Sequence, residues 1–362
     1  MRSAVLFGLV QFLCLSAGGA LAAVSCYNDQ GSPVDWFYLY KLPQLSHHAP
    51  GSGLLYLLLQ QGNDSWVKGA SLVNKSDGAL GRTVGQLYKL RQQEDLGYIL
   101  YNDQKPPERG GGGVSSECGH TKGVVLLDKT QGFWLVHSTP HFPPRQEVGE
   151  FSYPSTGVEN GQNFLCMTFP LERFEAIGEQ LQYNQPLVFD CSVPDALASQ
   201  APSLHQLCRR PYGAPPAPRP ANRSVSLPSL GGTTFLSFAK SRAFDDDLYV
   251  AWVAPSLGAD LLVQFWQRSA GVRPSNCSLG YRVLNVEGLD PGGAGPFRST
   301  LDHSKWAASA GAGPGDEEGW VCVGDINRDE AEERRGGGTV CQRDGRVWRA
   351  YHAAVTGVQD CP

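Results

Sequence analysis

Cys118-Gly-His-Thr-Lys-Gly-Val-Val-Leu-Leu-Asp-Lys-Thr-Gln-Gly-Phe-Trp-Leu-Val-His-Ser138 is the stretch that decides how this 362-residue chain is read. Its two apolar runs, 123–128 and 132–138, are rich in branched and aromatic side chains, which suit a pleated and largely buried surface, so each predicts a strand. The residues Lys129-Thr130-Gln131-Gly132 between them predict a four-residue hairpin loop. Directly ahead of the first strand stand His120 and Lys122. Alternate residues of a strand share a face, so this spacing sets an imidazole and an ammonium side by side. Lysine offers a point charge to a non-bridging phosphate oxygen, and histidine can attack or hand over a proton near physiological pH.

Runs of the same kind lie on both sides of this stretch. VDWFYLYKL at 34–42, GLLYLLL at 53–59 and GYILYND at 97–103 predict strands before it, and LYVAWVA at 248–254, ADLLVQFWQ at 259–267 and YRVLNV at 281–286 predict strands after it. Trp320 to Asn327 reads as a strand leaving into a polar turn. One helix is predicted over 169–181, where Leu171, Phe174, Ile177 and Leu181 recur at helical spacing. A second His-x-Lys, His303-Ser304-Lys305, follows the later strands. Between the two parts lies YGAPPAPRPAN at 211–221, whose prolines exclude a helix or a central strand. The expected organisation is a mixed α/β chain with a first half at 24–210, a Pro-rich linker or surface loop at 211–222 and a second half at 223–362.

The first 23 residues put one positive charge ahead of an apolar run and end in Ala20-Leu21-Ala22, the pattern of a cleavable signal peptide. No later run approaches the roughly 20 apolar residues of a bilayer-crossing helix, so no membrane span is expected. Of 10 cysteines, Cys14 leaves with the leader, and the remaining nine show no C-x-x-C spacing, which in an oxidising compartment means disulfides and one thiol left over. Asn63, Asn74, Asn222 and Asn276 each begin an Asn-x-Ser sequon, as expected of a chain that passes through the secretory pathway. The formal charge of −5 is the wrong sign for binding a polyanion at neutral pH. Losing Arg2 with the leader makes it −6, and protonating all 8 histidines at about pH 5 would carry it to +2. The counts thus favour an anionic substrate in acid, although they fit an ordinary acidic secreted protein equally well.

A single His-x-Lys is common on protein surfaces; two in one chain, one per half and each beside strand-like sequence, carry more weight. Facing each other, they would complete a phosphodiesterase in which one histidine attacks phosphorus and the other protonates the leaving oxygen and then activates water. The lysines would supply the charge stabilisation that a divalent cation otherwise gives, so neither metal nor cofactor is expected. Around these units Cys26-Tyr-Asn-Asp-Gln-Gly-Ser-Pro-Val-Asp-Trp-Phe, Leu100-Tyr-Asn-Asp-Gln, Gly119-His-Thr-Lys-Gly, Gly132-Phe-Trp-Leu-Val-His-Ser, Asp302-His-Ser-Lys-Trp, Val323-Gly-Asp-Ile-Asn-Arg and Arg335-Gly-Gly-Gly-Thr run nearly from end to end. In these segments the chain resembles the deoxyribonuclease II family.

The resemblance implies a phospholipase D-like fold of two pseudo-symmetric half-domains, with mixed sheets packed around one shared active site. It also implies metal-free acid hydrolysis of double-stranded DNA to 3′-phosphate ends in the lysosome. Carried onto this chain, the catalytic set is His120, Lys122, His303 and Lys305, with analogy to phospholipase D favouring His120 as nucleophile and His303 as general acid. The implied disulfides are Cys26 with Cys166, Cys277 with Cys361 and Cys322 with Cys341; Cys191 and Cys208 are near enough in sequence to close a local loop, leaving Cys118 over. The phospholipase D pattern of an Asp five residues after the lysine is absent. Asp128, six residues after Lys122, reads as a strand end, and Asn327 is the candidate to orient phosphate or lysine.

Several runs have two readings. Asp245-Asp246-Asp247 is an acidic turn before it is a cation site, and Cys118 is a leftover thiol before it is a nucleophile, since no base is identifiable beside it. The glycine runs 109–113 and 335–338 lack P-loop spacing, and the second lies in a family-like segment. Two rival functions stay open: a lipid-cleaving phospholipase D relative, and a secreted homologue that binds DNA without cutting it. Monomer and homodimer are both compatible with the sequence.

Overall fold

The strand sequences lack the polar alternation of a half-exposed sheet, and the computed structural model shows why: each of the two sheets is covered on both faces. It describes residues 23–46, 49–107, 117–209, 220–311 and 318–362. The leader up to residue 22, the glycine run at 109–113 and nearly all of the Pro-rich segment lie outside the described residues.

A short hairpin of β1 (Cys26–Tyr27) and β2 (Pro33–Val34) precedes the first sheet. That sheet is built from β3 (Trp36–Lys41), β4 (Tyr56–Gln60), β5 (Val67–Lys68), β6 (Gly97–Asn102), β7 (Lys122–Leu127), β8 (Gln131–His137), β9 (Gln162–Pro170) and β10 (Val188–Ser192). Their order is β10-β6-β7-β8-β9-β3-β4-β5, with every pairing antiparallel. The second sheet takes β11 (Asn222–Pro228), β12 (Thr234–Lys240), β13 (Leu261–Gln264), β14 (Val283–Leu289), β15 (Phe297–Arg298), β16 (Trp306–Ser309), β17 (Trp320–Gly324), β18 (Gly337–Arg343) and β19 (Val355–Val358). Its order is β11-β12-β18-β17-β16-β13-β14-β15, with β19 beside β14 and one parallel pair, β13 with β14.

Period-two alternation divides each strand between two cores. Trp36, Tyr38 and Tyr40 of β3, Val125 and Leu127 of β7, and Leu165 and Met167 of β9 meet Phe235, Trp306, Ala308, Val321 and Val323 of the second sheet in one buried cluster. Their strand neighbours Phe37, Leu39, Val124, Leu126 and Leu135 turn the other way, onto Leu80, Val84 and Leu87 of the helix Ala79–Lys89. Beyond the second sheet, Val263, Ala307 and Cys322 pack on Leu248, Tyr249 and Val253. At about 1.5–3 kcal/mol for each fully buried large apolar side chain, the shared inner cluster is the main force holding the halves together. The disulfides Cys26–Cys166, Cys191–Cys208, Cys277–Cys361 and Cys322–Cys341 each stay within one half, and Cys118 is a buried free thiol.

Three elements differ from expectation. The hairpin turn lies one residue early, with Leu127 paired to Gly132, because Asp128 organises it: its Oδ1 accepts from the Thr130 and Gln131 backbone N–H groups at 2.7 and 3.0 Å. The helix predicted from 169 is preceded by β9, which ends at Pro170, and by a single tight turn at Leu171–Arg173, so the α-helix proper is Phe174–Asn184. LYVAWVA is helical rather than extended, because Asp247 Oδ1 accepts from the N–H groups of Tyr249 and Val250 at 2.8 and 3.0 Å and starts the turn.

Candidate active site

The chain reaches His120 through a tight approach. A Cβ on Gly119 would lie 1.8 Å from the Asn184 carbonyl oxygen, so only glycine passes there. His120 donates its backbone N–H to Gly336 O at 2.9 Å, and its ring Nδ1 lies 2.8 Å from Glu332 Oε1. Its Nε2 is 4.0 Å from Asp103 Oδ2. Asp103 also receives Lys122 Nζ on Oδ1 and Arg335 at 3.3 Å on Oδ2. Lys122 opens β7 with its backbone N–H on Asp325 Oδ2 at 3.3 Å. Burial and then Lys122 hold the His120 imidazole well below its ordinary range, with Asp103 pulling the other way. Burial would raise the Asp103 carboxyl, but Lys122, His120 and Arg335 outweigh it and hold it low.

The second unit sits just ahead of β16. His303 Nδ1 lies 3.0 Å from the Ser138 carbonyl oxygen and 3.4 Å from Gln162 Oε1, and its backbone N–H donates to Gly161 O at 2.9 Å. Lys305 Nζ is 3.1 Å from His303 Nε2 and donates to the His303 carbonyl oxygen at 2.8 Å. Asn163 accepts the Lys305 N–H at 3.0 Å and donates back to its carbonyl at 3.2 Å. Asp302 is buried under this turn and is bound by the Tyr40 hydroxyl and by Ser304 Oγ. Burial and Lys305 hold His303 well below the ordinary imidazole range, and burial with Lys122 nearby lowers Lys305 to about 7.

Each unit is therefore completed by the opposite half. Glu332, Gly336 and Asp325 from the second half meet His120 and Lys122, with Arg335 acting through Asp103, whereas Ser138, Gly161, Gln162 and Asn163 from the first half grip His303 and Lys305. The units also act on each other's charge: Lys122 and His120 lower His303, and Lys305 lowers His120. One chain thus brings two imidazoles and two ammonium groups into a common electrostatic field, with a carboxylate on one ring and a carbonyl on the other. The Ser138 carbonyl oxygen only accepts, so His303 Nδ1 is assigned as proton-bearing; at His120, Glu332 Oε1 lies 2.8 Å from Nδ1 without hydrogen-bond geometry, and burial holds the Glu332 carboxyl above its ordinary range.

Two expectations change in detail. Neither His-x-Lys lies along a strand, since His120, His303 and Lys305 all precede one. The +2 charge in acid overstates the gain, because burial holds His120, His137 and His303 below the ordinary range. Asn327 Oδ1 accepts the backbone N–H of Trp266 at 3.1 Å, and the Trp266 ring packs edge-on to His303 with ring centres 5.2 Å apart. Asp247 pairs with Arg328 at 2.9 Å, and among the described residues no group of three or more His, Cys, Asp or Glu is arranged to hold a metal ion. Sequence reasoning missed Asp103, Glu332, Ser138, Gln162 and Trp266, although Asp103 and Ser138 stand in the segments that carry the family resemblance.

With this geometry in hand, comparison with known proteins is specific. A family model described as deoxyribonuclease II matches residues 25–361. The chain belongs to the deoxyribonuclease II family. It is 45% identical over 347 residues to deoxyribonuclease-2-alpha of Sus scrofa, covering 94% of this chain and 92% of that protein. Against deoxyribonuclease-2-beta of Homo sapiens the identity is 38%, covering 97% and 95%. Plancitoxin-1 of Acanthaster planci is 36% identical, with 99% of both chains covered. Family membership therefore extends over both halves and over both His-x-Lys units.

Proposed function

We propose that this chain is a metal-independent acid endonuclease that hydrolyses double-stranded DNA to 3′-phosphate ends through a phosphohistidine intermediate. Its family supports the deoxyribonuclease activity, and the observation that carries the mechanism is the mutual completion of the two His-x-Lys units. His120, with Glu332 Oε1 2.8 Å from its Nδ1, attacks phosphorus through Nε2. As the N–P bond forms and the bond from phosphorus to the 5′ oxygen breaks, His303 delivers its Nε2 proton to that oxygen. His303 then takes a proton from water, the resulting hydroxide displaces His120, and the 3′-phosphate is released. Lys122 and Lys305 neutralise the non-bridging oxygens. Lys305, lowered to about 7, is fully cationic only in acid, as this role requires.

The leader pattern and the sequons support a reading in which this activity works in the lysosome, reached through the secretory pathway, or outside the cell. Of the four sequon asparagines Asn74 is exposed and Asn63, Asn222 and Asn276 are half-buried, so Asn74 is the most accessible to a glycan. Both His-x-Lys units of the proposed site come from one chain. No helix among the described residues is long and apolar enough to cross a membrane. The deciding experiment is nicking of supercoiled plasmid at about pH 5 in excess chelator. Wild type should cut, while His303→Ala and His120→Ala should each lose at least about a hundredfold. Cutting that requires an added cation, or head-group release from lipid without DNA nicking, would overturn the reading.

A further inference from the structure

Trp266 follows β13 and stands half-buried beside His303, its ring inclined at 64° to the imidazole with centres 5.2 Å apart. Its backbone is fixed on both sides: the N–H donates to Asn327 Oδ1 at 3.1 Å, and the carbonyl accepts from Ser269 Oγ at 3.3 Å, which also bonds Asp329 Oδ2 at 2.7 Å. Arg268 is exposed and holds its guanidinium carbon 5.3 Å from the centre of the Trp266 ring. Among the described residues it has neither an ion-pair nor a hydrogen-bond partner. A rigid aromatic surface next to the proton donor, carrying an uncompensated planar cation, is the combination that binds a nucleotide: the ring packs on a base of any sequence, and the guanidinium takes a phosphate.

We propose that Trp266 and Arg268 form a nucleotide-positioning subsite on the leaving strand. Trp266 packs against the base that follows the scissile phosphate, and Arg268 binds the next phosphate along. This rests on the assignment of His303 as the group that protonates the leaving oxygen, and it gives Asn327 the task of holding the platform rather than of touching phosphate.

The test compares plasmid DNA with bis(p-nitrophenyl) phosphate, which has a scissile diester and no flanking phosphate. For Arg268→Ala, kcat/KM on DNA should fall about tenfold, the slope of its logarithm against log salt should shrink by about one, and the loss on DNA should exceed that on the small diester at least fivefold. Arg268→Lys should recover part of the loss. For Trp266, Phe should retain more activity on DNA than Leu, because Leu keeps bulk without a flat π surface. If wild type nicks DNA and Arg268→Ala leaves the salt slope unchanged, or lowers both substrates equally, the subsite is refuted while the nuclease assignment stands. If wild type cuts no DNA at all, the nuclease assignment itself has failed.

Discussion

Glu332 and Asp103 divide the work around His120: Glu332 faces Nδ1, while Asp103 gathers Lys122 and Arg335 beside Nε2. Glu332→Gln keeps the shape but removes the carboxyl that faces Nδ1, so kcat on plasmid should fall by about a hundredfold with KM little changed. Equal loss in a thermal melt would instead mark the residue as structural. The pH profile follows from the second ring. The free enzyme holds His303 well below the ordinary imidazole range, so kcat/KM should decline as pH rises through that low value and the proton donor empties. A bound phosphodiester favours the charged ring, so the corresponding limb of kcat should lie at higher pH. Steady-state rates from pH 4 to 8 check both, and a kcat/KM maximum above neutrality would contradict the assignment. The two histidines and two lysines were legible in sequence because a short spacing announces them. Asp103 and Arg335, which meet at 3.3 Å from 232 residues apart, have no local signature.

Among the elements, the turn that follows Asp247 shows best how a side chain overrides a pattern. Aromatic and branched residues in LYVAWVA favour a strand, yet Asp247 caps two backbone N–H groups and pairs with Arg328, both side chains being at most 9% exposed. Asp247→Ala leaves Arg328 charged and buried and should cost about 3–5 kcal/mol in urea unfolding. Asp247→Asn retains the cap and should cost less. Asp128 acts on a smaller scale, tying its own turn and the Val24 N–H at 3.0 Å, and Asp128→Ala should cost about 1 kcal/mol. The long strands β3, β6, β7 and β8 were readable because burial on both faces leaves nearly unbroken apolar runs. The helix Ala79–Lys89 was missed, since its buried stripe is interrupted by Gly81, Thr83 and Gly85.

At the scale of the whole molecule, the halves are joined by packing and polar bridges rather than by disulfides. Tyr38 of the first half donates to Gln342 Oε1 of the second at 2.8 Å, and Tyr40 reaches Asp302 in the same way. Asp325 spans the junction, accepting from Lys122 N–H at 3.3 Å and from Gly338 N–H at 3.2 Å. Unfolding should accordingly be one transition by both circular dichroism and tryptophan fluorescence, even though no covalent bond among the four disulfides crosses between halves. Burial raises Asp325 to about 7, far above the value of about 3.9 for an unfolded chain. The folded state then binds the proton more tightly, so this contribution is complete below about pH 4 and is lost as pH rises through 7. Between pH 5 and 8 wild type should lose stability relative to Asp325→Asn, at up to about 1.4 kcal/mol per pH unit. Parallel urea curves for the two proteins would exclude that role. The buried His120, His137 and His303 act in the opposite sense, costing stability as pH falls below about 6.5.

By itself the sequence determined most of the strands and singled out the two His-x-Lys units, because apolar period and short motif spacing are local properties of a chain. Only the tertiary structure decided what surrounds those side chains. The carboxylate on His120, the carbonyl on His303 and the burial that moves their protons all come from the opposite half, where residues distant in sequence are brought within hydrogen-bonding reach by the packing of two sheets.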